Sequence, residues 1–185
     1  GHKMVKTFWS ATPFVVKSQD DQHPFYLAGH MTGADYAGSG GTDGRGDPEW
    51  VNVIPAAEWL PSYVFFTDPT YPETDLVVTR GKNGGTFSDV FLDCHGTTPL
   101  SGWQTLGTSG DYEYVRVDLV SGNFQKQQGC DNGRHEMHSA APFGLTVWGW
   151  SSSVTAPFSS TYVSYAYPAG ASVKPINVVV VPAKP

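Results

Sequence analysis

The sequence predicts an all-β domain, an antiparallel β-sandwich or jelly-roll-like stack of about a dozen short strands with little helix. Three observations carry this. Gly and Pro together make 35 of the 185 residues, well above the usual ~12%, which suits many tight turns. Only 15% of residues are charged while 14% are aromatic, so there is ample apolar surface to bury and disorder is disfavoured. Short apolar or alternating runs are separated by turn signals, and no stretch repeats its apolar residues at helical spacing between caps.

Taken in order, Val5–Trp9 and Phe14–Lys17 are the first strand candidates, split by Thr12-Pro13. Phe25–Met31 reads as a strand after a polar turn. Residues 33–48 hold six glycines with Asp35, Asp43 and Asp47 and no apolar periodicity, which makes this the longest expected loop. Trp50–Ile54 resumes the sheet, Pro55 ends it, and Ala56–Leu60 has room for one helical turn before Pro61. The chain is organised around Tyr63–Arg80. Four apolar residues, Tyr63–Phe66, suit a buried strand; Asp68-Pro69 and Tyr71-Pro72 stop it; Leu76–Arg80 starts another, so that the stretch reads as a central hairpin with a stiff loop.

Lys82-Asn83-Gly84-Gly85 is a tight-turn signal, followed by a strand at Phe87–Leu92. Tyr112–Leu119 alternates, giving one apolar and one charged face. His135–His138 reads as strand. Phe143–Trp150 alternates again, its two glycines marking close backbone approach or a bulge, and Trp148 and Trp150 share one face. Thr161–Tyr167 and Asn177–Val181 complete the set. The expected boundaries are a leader at 1–4, with Gly1-His2 reading as a cloning scar on a segment of a longer protein, one domain at 5–182, and a tail at 183–185.

A formal net charge of −6 with 11 scattered basic residues argues against a nucleic-acid surface and a polybasic membrane patch. No apolar run nears the ~20 residues that span a bilayer as a helix. Cys94 and Cys130 belong to no Cys-x-x-Cys pair, so structural zinc is poorly supported. A disulfide is the leading reading of the pair, ahead of buried free thiols and of a nucleophile or metal ligand; a bridge would place the parent protein outside the cytoplasm.

Four segments carry a resemblance: Gly46–Pro55, Tyr63–Arg80, Cys130–Glu136 and Ser164–Gly170. They resemble bacterial members of the family named for the IgGFc-binding protein N-terminal domain, over about Phe8–Pro182. The resemblance implies an extracellular or cell-surface β-rich module of a large secreted or surface protein, with a binding or adhesive role. It transfers no site residues, because one fold hosts many functions.

Candidate sites are correspondingly modest. The two histidines of His135-Glu136-Met137-His138 are three apart and, on a strand, point to opposite faces, unlike a zinc-peptidase helix. Arg45-Gly46-Asp47 reads as a structural turn before Pro48 ahead of an integrin tripeptide. Asp43, Asp47 and Glu49, or Asp68, Glu73 and Asp75, could supply oxygen ligands to calcium, although neither set has a known calcium-loop spacing. Calcium is therefore the one cofactor left open. Glu58, Glu113 and Glu136 are possible members of a glycosidase carboxylate pair, and no nucleophile motif is present. The loop aromatics Trp59, Tyr71 and Trp103 are the ones expected at the surface, where such rings contact sugars or protein partners.

The expected function is a non-catalytic recognition or adhesion module that binds an extracellular glycan or protein through loops. A structural spacer and a carbohydrate-active enzyme are the alternatives. Nucleic-acid binding and membrane insertion are not expected.

Overall fold

The computed structural model describes residues 5–20, 22–31, 33–34, 44–152 and 161–173. Ten strands lie among them: β1 Ala28–Met31, β2 Glu49–Asn52, β3 Leu60–Thr67, β4 Glu73–Gly81, β5 Val90–Leu92, β6 Gln104–Leu106, β7 Tyr112–Ser121, β8 Gln125–Lys126, β9 Gly133–Trp150 and β10 Ser164–Pro168. The only helical pieces among the described residues are two single 3-10 turns, Ala56–Glu58 and Asp93–His95. All pairings are antiparallel, so the predicted class holds. No helix of the described residues is long and apolar enough to cross a membrane.

The 18-residue β9 belongs to both halves of a curled sheet. Its first half pairs with β3 on one edge and β5 on the other. Its second half pairs with β10 and β4, and the sheet continues through β7 to β6. Residues 140–142 between the halves belong to no ladder, and Pro142 stands there. Proline cannot donate to a ladder, so the break falls where its missing N–H costs nothing. Across the break the β3 register jumps from Ser62↔His138 to Leu60↔Phe143, and the two halves enclose one core.

That core follows from strict alternation. Val115, Val117 and Leu119 of β7, Leu76 and Val78 of β4, and Phe143, Leu145 and Val147 of β9 all point inward and are buried. Tyr63 and Phe65 of β3 with Val90 and Leu92 of β5 close the other side. The Tyr63 hydroxyl, which burial pushes above its ordinary pKa, accepts the Leu60 N–H at 3.0 Å and donates to the Phe143 carbonyl at 2.5 Å. One buried phenol thus satisfies two backbone groups at the register jump.

Several expectations change. Tyr63–Phe66 and Leu76–Arg80 lie in strands but do not form a hairpin: β3 and β4 sit on opposite edges of β9, since Phe143 pairs with both Leu60 and Arg80. Val5–Trp9 and Phe14–Lys17 are coil and belong to no strand ladder, and only Ala28–Met31 of the third candidate is strand. Apolar composition alone does not make a strand where no edge is available to pair with. The helical turn after Pro55, the Asn83–Thr86 turn and the β7 alternation are all present. Asn177–Val181 lies outside the described residues.

Candidate functional site

The outer face of the second half-sheet is where the chain departs from an ordinary solvated surface. In β9 the outward positions are Gly144, Thr146, Trp148 and Trp150, and their cross-strand partners on β4 are Thr79, Val77, Asp75 and Glu73. An exposed strand face normally carries charge and long polar side chains. This one carries an apolar and small-residue row with acids at one end, so something must stand over it.

What stands over it is the N-terminal coil and the segment after β2. Between them and the sheet lies an open cleft of about 1080 Å³. Val77, Thr79, Thr146 and Trp148 pave the floor, with Trp59 and Tyr112 at one end. Phe14, Val15, Val16, Phe25, Tyr26 and Val53 form the opposing wall, and all six are exposed, Phe25 at 50% and Tyr26 at 66%. Ligand pockets usually span ~300–1,000 Å³ with mostly apolar walls and few polar groups. The cleft lies just above that range, which suits an extended ligand better than a compact one.

Glycine sets the floor at its Trp59 end. A Cβ on Gly144 would meet the Trp59 indole at 2.7 Å and Thr79 Oγ1 at 2.5 Å, so only glycine lets the indole lie on the strand. Trp59 is fixed further by its Nε1–H donating to the Ile54 carbonyl at 3.2 Å and by edge contact with Tyr112, centroids 6.2 Å apart. From Gly144 to Trp148 the floor runs about 13 Å at ~3.3 Å per residue. Trp148 and Trp150 do share this face, with centroids 6.4 Å apart.

Beyond Trp148 lies a carboxyl pair. Asp75 of β4 is directly opposite Asp118 of β7. Desolvation, then hydrogen bonding and charge repulsion from Asp118, push Asp75 up to about 8. Asp75 therefore keeps its proton well above the usual carboxylate range. Glu73, the next acid on the face, is buried and neutralised: Arg45 Nη1 is 2.8 Å from its Oε2, and Trp150 Nε1–H donates to the same oxygen at 3.0 Å.

The proton on Asp75 makes stability depend on pH. The unfolded carboxyl ionises near 3.8, the folded one near 8, so the folded state binds more protons between those values and stability falls as pH rises from about 4 to about 8. Asp75→Asn is expected to flatten this slope and to stabilise the protein by about 2 kcal/mol near pH 8 while changing little near pH 4. Thermal denaturation of both proteins across that range is the check, and parallel curves would contradict it.

The sequence-predicted site residues fall in separate places. Trp59 is in the cleft. Tyr71 is half-buried against Tyr165, centroids 4.6 Å apart. Trp103 is half-buried too, stacked under the Arg80 guanidinium at 3.9 Å with its Nε1–H on the Leu100 carbonyl; Arg80 is itself paired with Glu113 at 2.9 Å. None of the three is a freely exposed loop ring. Asp43 lies outside the described residues. Asp47 accepts from Ser164 Oγ at 2.6 Å, and Glu49 accepts its neighbour Trp50 N–H at 2.8 Å. Arg45-Gly46-Asp47 is tied to Glu73, Ser151 and Ser164 instead of being presented as a free loop.

Cys94 and Cys130 are bridged, with Cα atoms 5.1 Å apart. The bridge occupies the sulfurs of both Cys/His/Asp clusters found among the described residues, Cys94–His95–Cys130 and Asp93–Cys94–His135, so neither offers a thiolate. His135 is buried and His138 exposed, on opposite faces as their spacing requires. Both His135 nitrogens face protein acceptors, Asp93 Oδ1 at 3.0 Å and the Asp131 carbonyl at 2.7 Å. Disulfide and histidine together fasten the start of β9.

The cleft and the Asp75–Asp118 pair were not singled out by sequence reasoning. The available signal was the outward row Gly-Thr-Trp-Trp of β9, too apolar for an uncovered face.

Residues 2–149 match the model of a protein family described as IgGFc binding protein. No curated protein and no solved structure matches the chain. The family match covers most of the chain, including all but the last residue of β9 and the whole cleft floor, and the chain belongs to that family.

Proposed function

We propose that this IgGFc-binding family domain is a non-catalytic extracellular recognition module of a larger secreted or surface protein, and that its ligand lies in the cleft between the N-terminal coil and the outer face of β4 and β9. The observation that carries this is the cleft itself: about 1080 Å³ of open space bounded by aromatic and aliphatic side chains that a structural spacer has no reason to leave uncovered. The disulfide supports an oxidising compartment. Ligand contact shifts from loop rings to the floor, with Trp59 and Trp148 as anchors, while Tyr71 and Trp103 serve packing. A ligand would be a protein segment or a glycan, and no calcium is required, since Asp47 and Glu49 are engaged by their own chain.

One observation favours the enzyme alternative, the Asp75–Asp118 pair with its raised pKa. Its placement argues against glycoside hydrolysis, which needs carboxyls on either side of the scissile bond; these two stand side by side on one face of adjacent strands.

The test is a screen of the fluorescently labelled domain on arrays of glycans and extracellular proteins, with calcium and with EDTA. A reproducible hit indifferent to EDTA is expected. A chelator-sensitive hit would move the site to the acidic loops, and blank arrays would favour the spacer.

A further inference from the structure

We propose that the cleft takes an extended protein segment, its apolar side chains laid along the floor between Trp59 and Trp148 and a Lys or Arg side chain reaching the Asp75–Asp118 pair. The inference rests on the reading of the cleft as the ligand surface and adds the chemistry of the occupant. The floor is a row on two paired strands, about 13 Å long, with an indole at each end and only Gly144, Thr146, Val77 and Thr79 between them. Such a surface accepts alternate side chains of an extended chain.

The carboxyl pair supplies the charge. Among the described residues no Lys, Arg or His lies within ion-pair distance of Asp75 or Asp118. The charged groups facing them are Glu73, already held by Arg45, and Arg116, exposed opposite Val77 one step along β7. Asp75 is half-buried and Asp118, opposite it, is exposed; with no counter-ion beside it, Asp75 keeps a proton instead. An ammonium or guanidinium placed there stabilises both carboxylates, and a guanidinium can span the two. The proton is released to solvent as the cation arrives, so binding tightens as pH rises towards 8, the region where Asp75 would otherwise hold it.

The experiment is selection of a random linear peptide library displayed on phage against the wild-type domain, Asp75→Asn/Asp118→Asn and Thr146→Trp. Wild type is expected to enrich peptides with aromatic or branched apolar residues and a Lys or Arg at one fixed end. A selected peptide should bind the double variant at least about tenfold more weakly, the size of one charge-assisted hydrogen bond. It should also lose on that variant the gain in affinity between pH 6 and pH 8. Enrichment of apolar peptides without a basic preference, or binding equal in the double variant, overturns the inference and leaves the cleft as the ligand surface. Failure to enrich any peptide overturns the inference and leaves a glycan as the cleft's occupant, whereas peptides bound equally by Thr146→Trp overturn the inference and the cleft reading together.

Discussion

Replacing Cys130 with serine together with Cys94→Ser is expected to lower the stability of the folded domain by roughly 3–4 kcal/mol, the chain-entropy value for a loop of this length. The two cysteines are 36 residues apart. That loop contains β6, β7 and β8, so without the bridge the unfolded chain regains the freedom of a substantial part of the sheet. Cys130 is also wholly buried in the core cluster, beside the Asp93–His135 contact that fastens the start of β9. Denaturant unfolding of the oxidised protein and the double serine variant measures the difference. A shift below about 1 kcal/mol would mean that the loop is already ordered in the unfolded ensemble.

Phe143→Ala should be as damaging, at about 3–5 kcal/mol. Phe143 is fully buried, the first core residue after the Pro142 break, and its backbone pairs with both Leu60 and Arg80. Its ring meets Tyr63 edge-on, centroids 5.0 Å apart, and its carbonyl takes the Tyr63 hydroxyl. Truncation leaves a cavity at the point where the two halves of the sheet share a strand. Phe143→Leu, which keeps most of the volume, should cost less than half as much. Equal losses for the two variants would show that the aromatic contact, not the volume, holds the junction.

The legible part of the fold was what local pattern determines. Alternation in β7 and in the second half of β9 fixed which residues face inward, because a strand has a period of two whatever it pairs with. Gly144 and Gly149 were readable as close approaches, and each lies under an aromatic ring, Trp59 and Tyr165. Pairing was less legible. Tyr63–Phe66 and Leu76–Arg80 are adjacent in sequence, yet β9, some 70 residues further on, comes between them. The N-terminal apolar runs look like strands because the same residue types suit a pleated sheet and a cleft wall.

The candidate site was less legible still. Asp75 and Asp118 are 43 positions apart and meet only through the β4–β7 register. Trp148 was readable as sharing a face with Trp150, but what covers that face depends on where residues 14–18, 24–29 and 51–56 pass. Family membership, shown over residues 2–149, fits an extracellular binding role and leaves the ligand to be found by the geometry of the cleft.

The most direct measurement is a side-by-side array screen of the wild-type domain and Thr146→Trp. Thr146 is half-buried at the middle of the floor with its side chain outward, so an indole there obstructs the floor without entering the core and suits a strand. The account predicts that ligands captured by wild type are lost by the variant while its melting temperature stays within about 2 °C. Ligands retained in full by a folded Thr146→Trp protein would contradict it.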